Sequence, residues 1–331
     1  MQEASLQEFG QFLYKIHINQ GPHMTEPRAR LFLPFAIFIA ILAVSTASIF
    51  IRFAQIGGAP SLVIAALRMT FATIILAPVA LTRHRDEVKR FTRNELLLGA
   101  ASGIFLAVHF ATWISSLEYT SVASSVVFVS TGPLWVALLS PMLLKEHLAR
   151  TAMIGLALSV VGGAIIGLSD ACIWDGGLSC SALQHILQGR AMWGNFLALA
   201  GAWSVTGYLI IGRKLRARMS LVPYIFLVYG MAAMALIVIM FVSGNSPFGF
   251  SPQIYGWIFL LATIPQLIGH STYNWALKYL PAALVAVTTL GEPIGSAILA
   301  FIILEETPAI ATMLGGVLIL TGIYLASRKS I

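Results

Sequence analysis

Charged residues are scarce in this chain of 331 residues. Asp, Glu, Lys and Arg make up 10% of it, hydrophobic residues make up 58%, and the mean hydropathy is +0.86. Because a soluble globular protein has about 25% charged residues, too few polar side chains are present to cover a soluble particle of this size. The composition predicts a polytopic membrane protein whose surroundings are the lipid bilayer, and it excludes soluble enzymes. The net charge of +7 is expected to reflect membrane topology, not nucleic-acid binding.

The sequence also lacks motifs that enzymes and ATP-driven pumps need. It has no Walker-type phosphate loop, which excludes ATP as the direct energy source. It has neither clustered Cys and His at metal-binding spacing nor a Ser nucleophile elbow. We therefore expect no cofactor, no metal ion and no enzymatic activity.

Ten apolar stretches, separated by short polar or Gly/Pro-containing breaks, follow one another along the chain. Each is long enough to cross about 30 Å of hydrocarbon at 1.5 Å rise per residue. Helices are the expected structure, because lipid offers no partner to unpaired backbone groups and barrel strands would show alternating patterns. The predicted transmembrane helices are 31–52, 60–82, 95–116, 120–144, 149–168, 191–212, 221–243, 253–276, 281–304 and 307–327.

Basic residues are distributed very unevenly between the predicted loops. Seventeen Lys and Arg residues fall on one side of the membrane, Arg52 and Arg190 fall on the other, and Arg68 lies within the second span. The positive-inside rule then places both termini in the cytoplasm. This topology predicts a multi-pass protein of the cell (inner) membrane.

The segment before the first span, residues 1–29, is predicted to be a cytoplasmic N-terminal segment. It is polar and lacks the apolar core of a cleavable signal peptide. Gln20-Gly21-Pro22-His23-Met24 resembles a protease-cleavage and cloning scar, unless Met24 is the natural start. Functional residues are therefore expected only from residue 30 onwards.

Both cysteines of the chain, Cys172 and Cys180, fall in the predicted external loop 169–190. In an oxidising compartment they could form a disulfide that closes a small loop. The alternative is two unrelated thiols, and the sequence leaves both open.

The second half of the predicted bundle repeats the first. Residues 116–167 align without a gap with 276–327, at an offset of 160, and 14 of these 52 positions are identical. The offset maps spans four and five onto nine and ten, so each unit holds five spans, and an odd number inverts the second copy. Uncommon or geometrically demanding residues recur in the pairs Pro133/Pro293, Glu146/Glu306, Gly155/Gly315 and Gly162/Gly322.

The duplication predicts two inverted five-helix repeats, 30–168 and 191–327, followed by a cytoplasmic tail, 328–331. Inverted repeats are a signature of secondary transporters, in which the substrate site lies near the bilayer midplane at the repeat interface. We therefore expect alternating access to a central site.

The chain resembles the EamA-type transporters of the drug/metabolite transporter superfamily over nearly all of its length after residue 30. One motif runs from Thr131-Gly132-Pro133-Leu134-Trp135 to Leu144-Lys145-Glu146. The second runs from Gly291-Glu292-Pro293-Ile294 to Leu304-Glu305-Glu306. Arg68 matches the arginine usual in the second span, whereas Val44-Ser45 replaces the Trp-Gly pair common in span one. The resemblance implies ten helices around a central cavity.

Arg68 and Glu292 lie well inside predicted spans, where charge is costly and calls for a reason. Glu292 lies halfway along span nine, beside Pro293. A proline tends to kink a helix, and Pro133 is the residue of span four that corresponds to Pro293. The Glu292 carboxyl group is the candidate for proton coupling or for binding a substrate amine; the alternative is a contact that holds the bundle together. Arg68 could bind a substrate carboxylate, but a structural role is the preferred interpretation.

Spans three, six and eight carry the richest polar and aromatic sets. His109 and Trp113 share one helical face, as do His270 and Asn274. The alternative for each histidine is an ordinary helix–helix contact. The predicted substrate-binding residues are His109, Trp113, Trp203, Tyr208, His270, Asn274 and Glu292.

These patterns predict a secondary active transporter that moves a small organic metabolite, such as an amino-acid-like or related polar solute, across the membrane, with export as a candidate direction. The alternative is an integral membrane enzyme acting on a lipid-linked substrate. Such an enzyme is expected to cluster acidic or histidine motifs at one membrane interface, which this sequence does not do.

Overall fold

The computed structural model of the chain describes residues 27–120, 125, 128–146, 149–169, 173–174, 178–179, 189–304 and 310–327. Apart from one pair of two-residue strands, its regular structure is helical. One element is a π-helical segment, Ala262–His270. The other elements are α1 Pro27–Ser45, α2 Ala47–Ile56, α3 Ser61–Thr82, α4 Arg85–Lys89, α5 Arg93–Ser116, α6 Gly132–Leu143, α7 Arg150–Ser169, β1 Ile173–Trp174, β2 Leu178–Ser179, α8 Gly189–Arg216, α9 Leu221–Val242, α10 Pro252–Leu261, α11 Ser271–Ala276, α12 Ala282–Thr289, α13 Glu292–Leu304 and α14 Ile310–Ser327.

Six helical runs in the described part of the chain are long and apolar enough to cross a membrane. They are Phe32–Ile56, Ser61–Thr82, Arg93–Ser116, Arg190–Arg216, Leu221–Val242 and Ala282–Ile303. The other predicted spans correspond to shorter apolar helices or to the interrupted run from α10 to α11. The all-helical membrane fold is established, and the count of ten spans stays a prediction.

Helix boundaries repeat at the same offset of 160 residues as the sequence. The limits of α3, Ser61 and Thr82, correspond to those of α9, Leu221 and Val242. The first residues of α6 and α13 correspond in the same way, as do those of α7 and α14. The repeat is therefore present in the helices themselves, well beyond the residues that are identical between the two halves.

The two repeats pack against each other through α7 and α14. A side chain at Gly155 would collide with the backbone of Gly322, and one at Gly162 would collide with the backbone of Gly315. Because the earlier residue of α7 meets the later residue of α14, the two helices run antiparallel. Their close approach depends on glycine, as in other membrane helix pairs that pack through small residues.

Four of the predicted continuous spans are interrupted in the structure. The first span breaks at Thr46, between α1 and α2, and the ninth breaks between α12 and α13. The fourth has a turn at Ser130–Thr131 before α6 begins. The eighth contains the π-helical segment Ala262–His270. Apolar periodicity does not reveal such breaks, because both sides of each break are equally hydrophobic.

The strands β1 and β2 form a small antiparallel pair in the predicted external loop, with Ile173 opposite Ser179. Cys172 and Cys180 lie outside the described residues, so their pairing stays a prediction from the sequence.

Candidate functional site

A cavity of about 90 Å³ lies between the two repeats, where the interrupted helices meet. The first repeat contributes α1, α2, α3, α5, α6 and residues 129–130 to its wall, and the second contributes α8, the π-helical segment, α11, α12 and α13. Its lining consists of Val44, Ala47, Arg68, His109, Trp113, Val129, Ser130, Gly132 and Pro133 from one half, and Val205, Tyr208, Leu209, His270, Tyr273, Ala286, Thr289, Leu290, Glu292 and Pro293 from the other.

Arg68 is the most deeply buried charged residue of this wall, with 0% of its surface exposed. Its Nε donates a hydrogen bond of 2.9 Å to Oε1 of Gln266, in the π-helical segment. Its guanidinium carbon lies 4.1 Å from the centre of the Phe110 ring, a cation–π contact. Two contacts from two different helices therefore hold the guanidinium in one orientation.

Aromatic and imidazole rings surround the same phenylalanine. The rings of His109 and His270 both pack against Phe110, with ring centres 5.0 Å and 5.5 Å from it. His109 stacks nearly parallel to Trp113, and its Nδ1 lies 2.9 Å from the carbonyl oxygen of Gly201. Because a carbonyl only accepts, Nδ1 carries a proton and donates it to this oxygen.

A buried polar network supports the other side of the cavity. The Asn274 amide donates to the hydroxyl of Tyr208 at 2.5 Å and to that of Tyr229 at 3.3 Å. Tyr229 also contacts the hydroxyl of Ser271 at 3.2 Å. Tyr208 lines the cavity, whereas Asn274, although predicted to bind substrate, does not. Asn274 instead fixes the orientation of Tyr208.

Glu292 is the first residue of α13 and half-buried in the cavity wall. Pro293 follows it in the first turn, where a proline costs no helical hydrogen bond. The Ser45 hydroxyl, at the end of α1, donates to the Ile41 carbonyl at 2.7 Å and lies 3.2 Å from the Glu292 backbone carbonyl, a second acceptor. The carboxylate is within electrostatic range of Arg68, yet no hydrogen bond or ion pair joins it to another described side chain.

The structure brings together most of the side chains predicted for the site. His109, Trp113, Tyr208, His270 and Glu292 line the cavity, as do the residues predicted to be structural, Arg68, Pro133 and Pro293. Trp203 does not: its ring is 43% exposed and packs edge-on against Trp135. Trp203 and Tyr208 are five positions apart on α8, which places them on different helical faces.

Sequence reasoning missed a second polar cluster, at the end of the bundle predicted to be cytoplasmic. Arg213 forms an ion pair of 2.6 Å with Glu146 and donates to the carbonyl oxygens of Leu277 and Lys278 at 2.7 and 3.1 Å. Glu146 also accepts from the backbone N–H of Ala282 at 3.1 Å. The cluster connects the end of α6 in the first repeat to α8 and α12 in the second. The recurrence of Glu146 as Glu306 was the only sequence signal for it.

Comparisons with known proteins agree with a duplicated membrane fold. The model of the EamA-like transporter family matches residues 33–168 and again 192–328. An uncharacterized transporter of Archaeoglobus fulgidus is 25% identical over 308 residues, which cover 89% of this chain and 96% of the relative. The uncharacterized transporter YetK of Bacillus subtilis is 22% identical over 88% of this chain and 85% of its own. A crystal structure that shares 19% identity superposes with a TM-score of 0.72 over 89% of this chain and 96% of its own, which shows the same fold.

The fold and the duplicated halves define a multi-pass membrane protein of the transporter class. The chain belongs to the EamA-like transporter family, and the resemblance found in the sequence is thereby confirmed. The family and the names of its relatives point to a transporter, not to an enzyme.

Proposed function

We propose that this protein is a secondary active transporter that moves a small organic metabolite across the cell (inner) membrane by alternating access. Ten membrane-spanning helices would form two inverted five-helix units, with both termini in the cytoplasm. The substrate would be an amino-acid-like or related polar solute, and the cavity between the repeats its binding site. Trp203, which faces away from this cavity, contributes nothing to binding in this proposal.

One observation carries the proposal: a cavity lined by both repeats lies where four helices are interrupted. Interrupted helices next to a site between inverted repeats are characteristic of secondary transporters, because the freed backbone groups can face a ligand. π-helical segments also occur preferentially at functional sites. A protein that served only as an anchor would have no use for ionisable side chains at this depth.

The size of the cavity supports a cycle of conformations. A volume of about 90 Å³ is smaller than the roughly 300–1,000 Å³ of typical ligand sites. An amino-acid-sized solute therefore requires the bundle to open, which rocking of the two repeats about their interface would achieve. The Glu146–Arg213 cluster would be broken and re-formed in that cycle, since it joins the two repeats at one end.

Coupling of transport to protons, where it occurs, is assigned to Glu292. Its carboxylate lies in the cavity wall without a hydrogen-bonded partner among the described residues, so it is accessible to a proton or to a substrate amine.

Counterflow in proteoliposomes tests the transport function. Vesicles with purified protein would be loaded with unlabelled amino acids, sugars or amines, and uptake of the labelled solute would be followed. Accumulation that exceeds protein-free vesicles for at least one solute is expected. Absence of counterflow across the whole panel, with protein shown to be folded in the vesicles, would contradict the proposal.

A further inference from the structure

Two buried arginines in this protein have very different surroundings. Arg216, with 2% exposure, donates from Nε to the carbonyl oxygen of Asn274 at 3.0 Å and from Nη1 to that of Met219. Arg68, with 0% exposure, has only its Nε bonded, to Gln266, and both Nη1 and Nη2 are buried without a hydrogen-bond partner. Arg216 has the contacts of a structural arginine, whereas Arg68 keeps its two best donors unused.

A buried N–H donor without a hydrogen-bond partner lowers the free energy of unfolding. A buried charge loses its hydration and must recover that free energy from partners. Phe110 and Gln266 occupy one face and the Nε edge of the guanidinium, so they orient the terminal nitrogens without satisfying them. The arrangement is that of a group whose orientation is fixed while its terminal N–H groups can bind a ligand.

Other unpartnered groups in the cavity wall have the same hydrogen-bonding character. The indole Nε1 of Trp113 and the hydroxyl of Tyr273 are buried without a partner, and both residues line the cavity with Arg68. Arginine and tryptophan nitrogens can only donate, and a tyrosine hydroxyl can donate. Arg68, Trp113 and Tyr273 thus present unpaired donors, and a ligand that binds to them must supply acceptors.

We infer that Arg68 binds an oxyanion of the transported solute, with Phe110 and Gln266 as positioning residues. This inference rests on the proposed function and replaces a purely structural role for Arg68. A planar guanidinium presents two parallel N–H groups that match a carboxylate in bidentate geometry. Because the Glu292 carboxylate in the same wall repels an anion, the oxyanion lies on the Arg68 side of the cavity and any cationic group of the solute lies toward Glu292.

The first test needs no ligand and compares the two arginines. Thermal unfolding of the purified, ligand-free protein in detergent would be measured for Arg216→Gln and Arg68→Gln. Arg216→Gln is expected to lower the unfolding temperature clearly, because backbone carbonyls lose their donor. Arg68→Gln is expected to lower it less, or to raise it, since an incompletely paired charge is removed. An equal or larger loss of stability in Arg68→Gln would overturn the inference.

The second test measures binding directly. The common amino acids, acetate, succinate and inorganic phosphate would be titrated against the wild type, with the thermal shift as readout, and each acid that binds would be compared with its amide. Acids are expected to stabilise the protein and the amides are not. Arg68→Gln should weaken binding of the acid at least about tenfold, as expected for loss of a charge-assisted hydrogen bond, and Arg68→Lys should retain part of it. Arg216→Lys serves as the control and should keep the preference for acids.

The outcomes separate the possible sources of the oxyanion. Stabilisation by carboxylates assigns a carboxylate solute, and stronger stabilisation by inorganic phosphate assigns a phosphate-bearing one. Amides that bind as tightly as the acids, an acid preference that survives Arg68→Gln, or a panel in which no acid stabilises the wild type would each overturn the inference.

Failure here can be distinguished from failure of the transport function. If counterflow is observed for solutes without an acidic group and Arg68→Gln transports them at the wild-type rate, the protein is a carrier but Arg68 is not its oxyanion site. If the wild type shows no counterflow for any solute, the transport function fails, and the thermal shift still reports on the oxyanion site.

Discussion

The hydroxyl of Ser159 donates a hydrogen bond of 3.4 Å to the backbone carbonyl of Ile319, the residue that corresponds to it in the other repeat at an offset of 160. Contacts between Gly155 and Gly322 on one side are mirrored by contacts between Gly162 and Gly315 on the other. A residue that meets its own counterpart lies on the axis that relates the two copies. Because the helices are antiparallel there, this axis runs across them, as expected for inverted repeats.

The close contact on this axis predicts that two glycine substitutions in α7 have very different effects on the free energy of unfolding. Gly155→Ala places a methyl group against the Gly322 backbone and Ala326, so the helices must separate, and we expect a loss of about 1–3 kcal/mol in unfolding free energy. Gly163→Ala, where nothing lies within 4 Å of the added carbon, is the matched control and should be neutral or slightly stabilising. Chemical or thermal unfolding in detergent measures both, and equal effects would argue against this packing.

Much of the fold could be predicted from the apolar composition of the chain and from the repeat of its sequence. The offset of 160 was visible in recurring residues such as Pro133 and Pro293, and three pairs of described helices begin at corresponding positions. The interruptions at Thr46 and at Ala262–His270 could not be predicted. They depend on how neighbouring helices pack against one another, as α1 and α13 do where the Ser45 hydroxyl lies 3.2 Å from the Glu292 carbonyl oxygen, and this is a tertiary effect.

Part of the candidate site could be predicted from residue type, and the rest depends on packing. Rarity of polar groups in apolar helices directed attention to Arg68, His109, His270 and Glu292, and all four line the cavity. Residue type alone could not distinguish a cavity wall from a supporting contact or an outer surface, so Asn274 and Trp203 were included. Which face of a helix meets the cavity is decided by packing, and the polar and aromatic residues of α8 do not share one face, as Trp203 and Tyr208 show.

The two tryptophans predicted for substrate binding should behave differently. Trp113 lines the cavity with an unpartnered indole N–H, whereas Trp203 is 43% exposed on another face of the bundle. Trp113→Leu is therefore expected to weaken binding of a transported solute several-fold, through lost contact area and a lost donor. Trp203→Leu should leave affinity unchanged. Competition assays in proteoliposomes compare the two variants, and a comparable effect of both would place the substrate elsewhere.

Asn274 is expected to act through the orientation of Tyr208. Asn274→Ala removes the amide shared by the Tyr208 and Tyr229 hydroxyls, and a buried hydroxyl left without a partner costs about 1–3 kcal/mol. We expect lower thermal stability together with weaker solute binding, and partial recovery of binding in the double variant Asn274→Ala, Tyr208→Phe, which removes the stranded hydroxyl as well. No loss of stability in the single variant would contradict the network.

The ion pair between Glu146 and Arg213 is expected to stabilise the closed state at one end of the bundle. Charge reversal at either position, Glu146→Arg or Arg213→Glu, places like charges together and should favour the state in which this end is open. The double variant Glu146→Arg, Arg213→Glu brings opposite charges together again and should restore part of the closed state. A cysteine at Thr289 in a Cys172→Ser, Cys180→Ser background, labelled with an impermeant maleimide from each side, reports the opening.

Labelling of that cysteine should increase several-fold in the single variants from the side on which the cluster lies, which the positive-inside rule predicts to be the cytoplasm. Labelling from the opposite side should decrease, because the two openings alternate. Unchanged labelling from both sides would show that the cluster does not control access, and increased labelling from both would indicate loosening of the whole bundle.

Substitution of Glu292 by glutamine tests its assignment to proton coupling. Glutamine keeps the size of the side chain and imitates the protonated acid permanently, so the variant should fold and still exchange solute in counterflow. Accumulation driven by an imposed pH gradient should be lost, because no proton can then be released in the cycle. Glu95→Gln, at the exposed N-terminal cap of α5 where either residue can accept the cap contact, is the control and should retain accumulation. Gradient-driven uptake in the Glu292→Gln variant equal to that of the wild type would remove the assignment, and loss of counterflow as well would instead make Glu292 part of the substrate site.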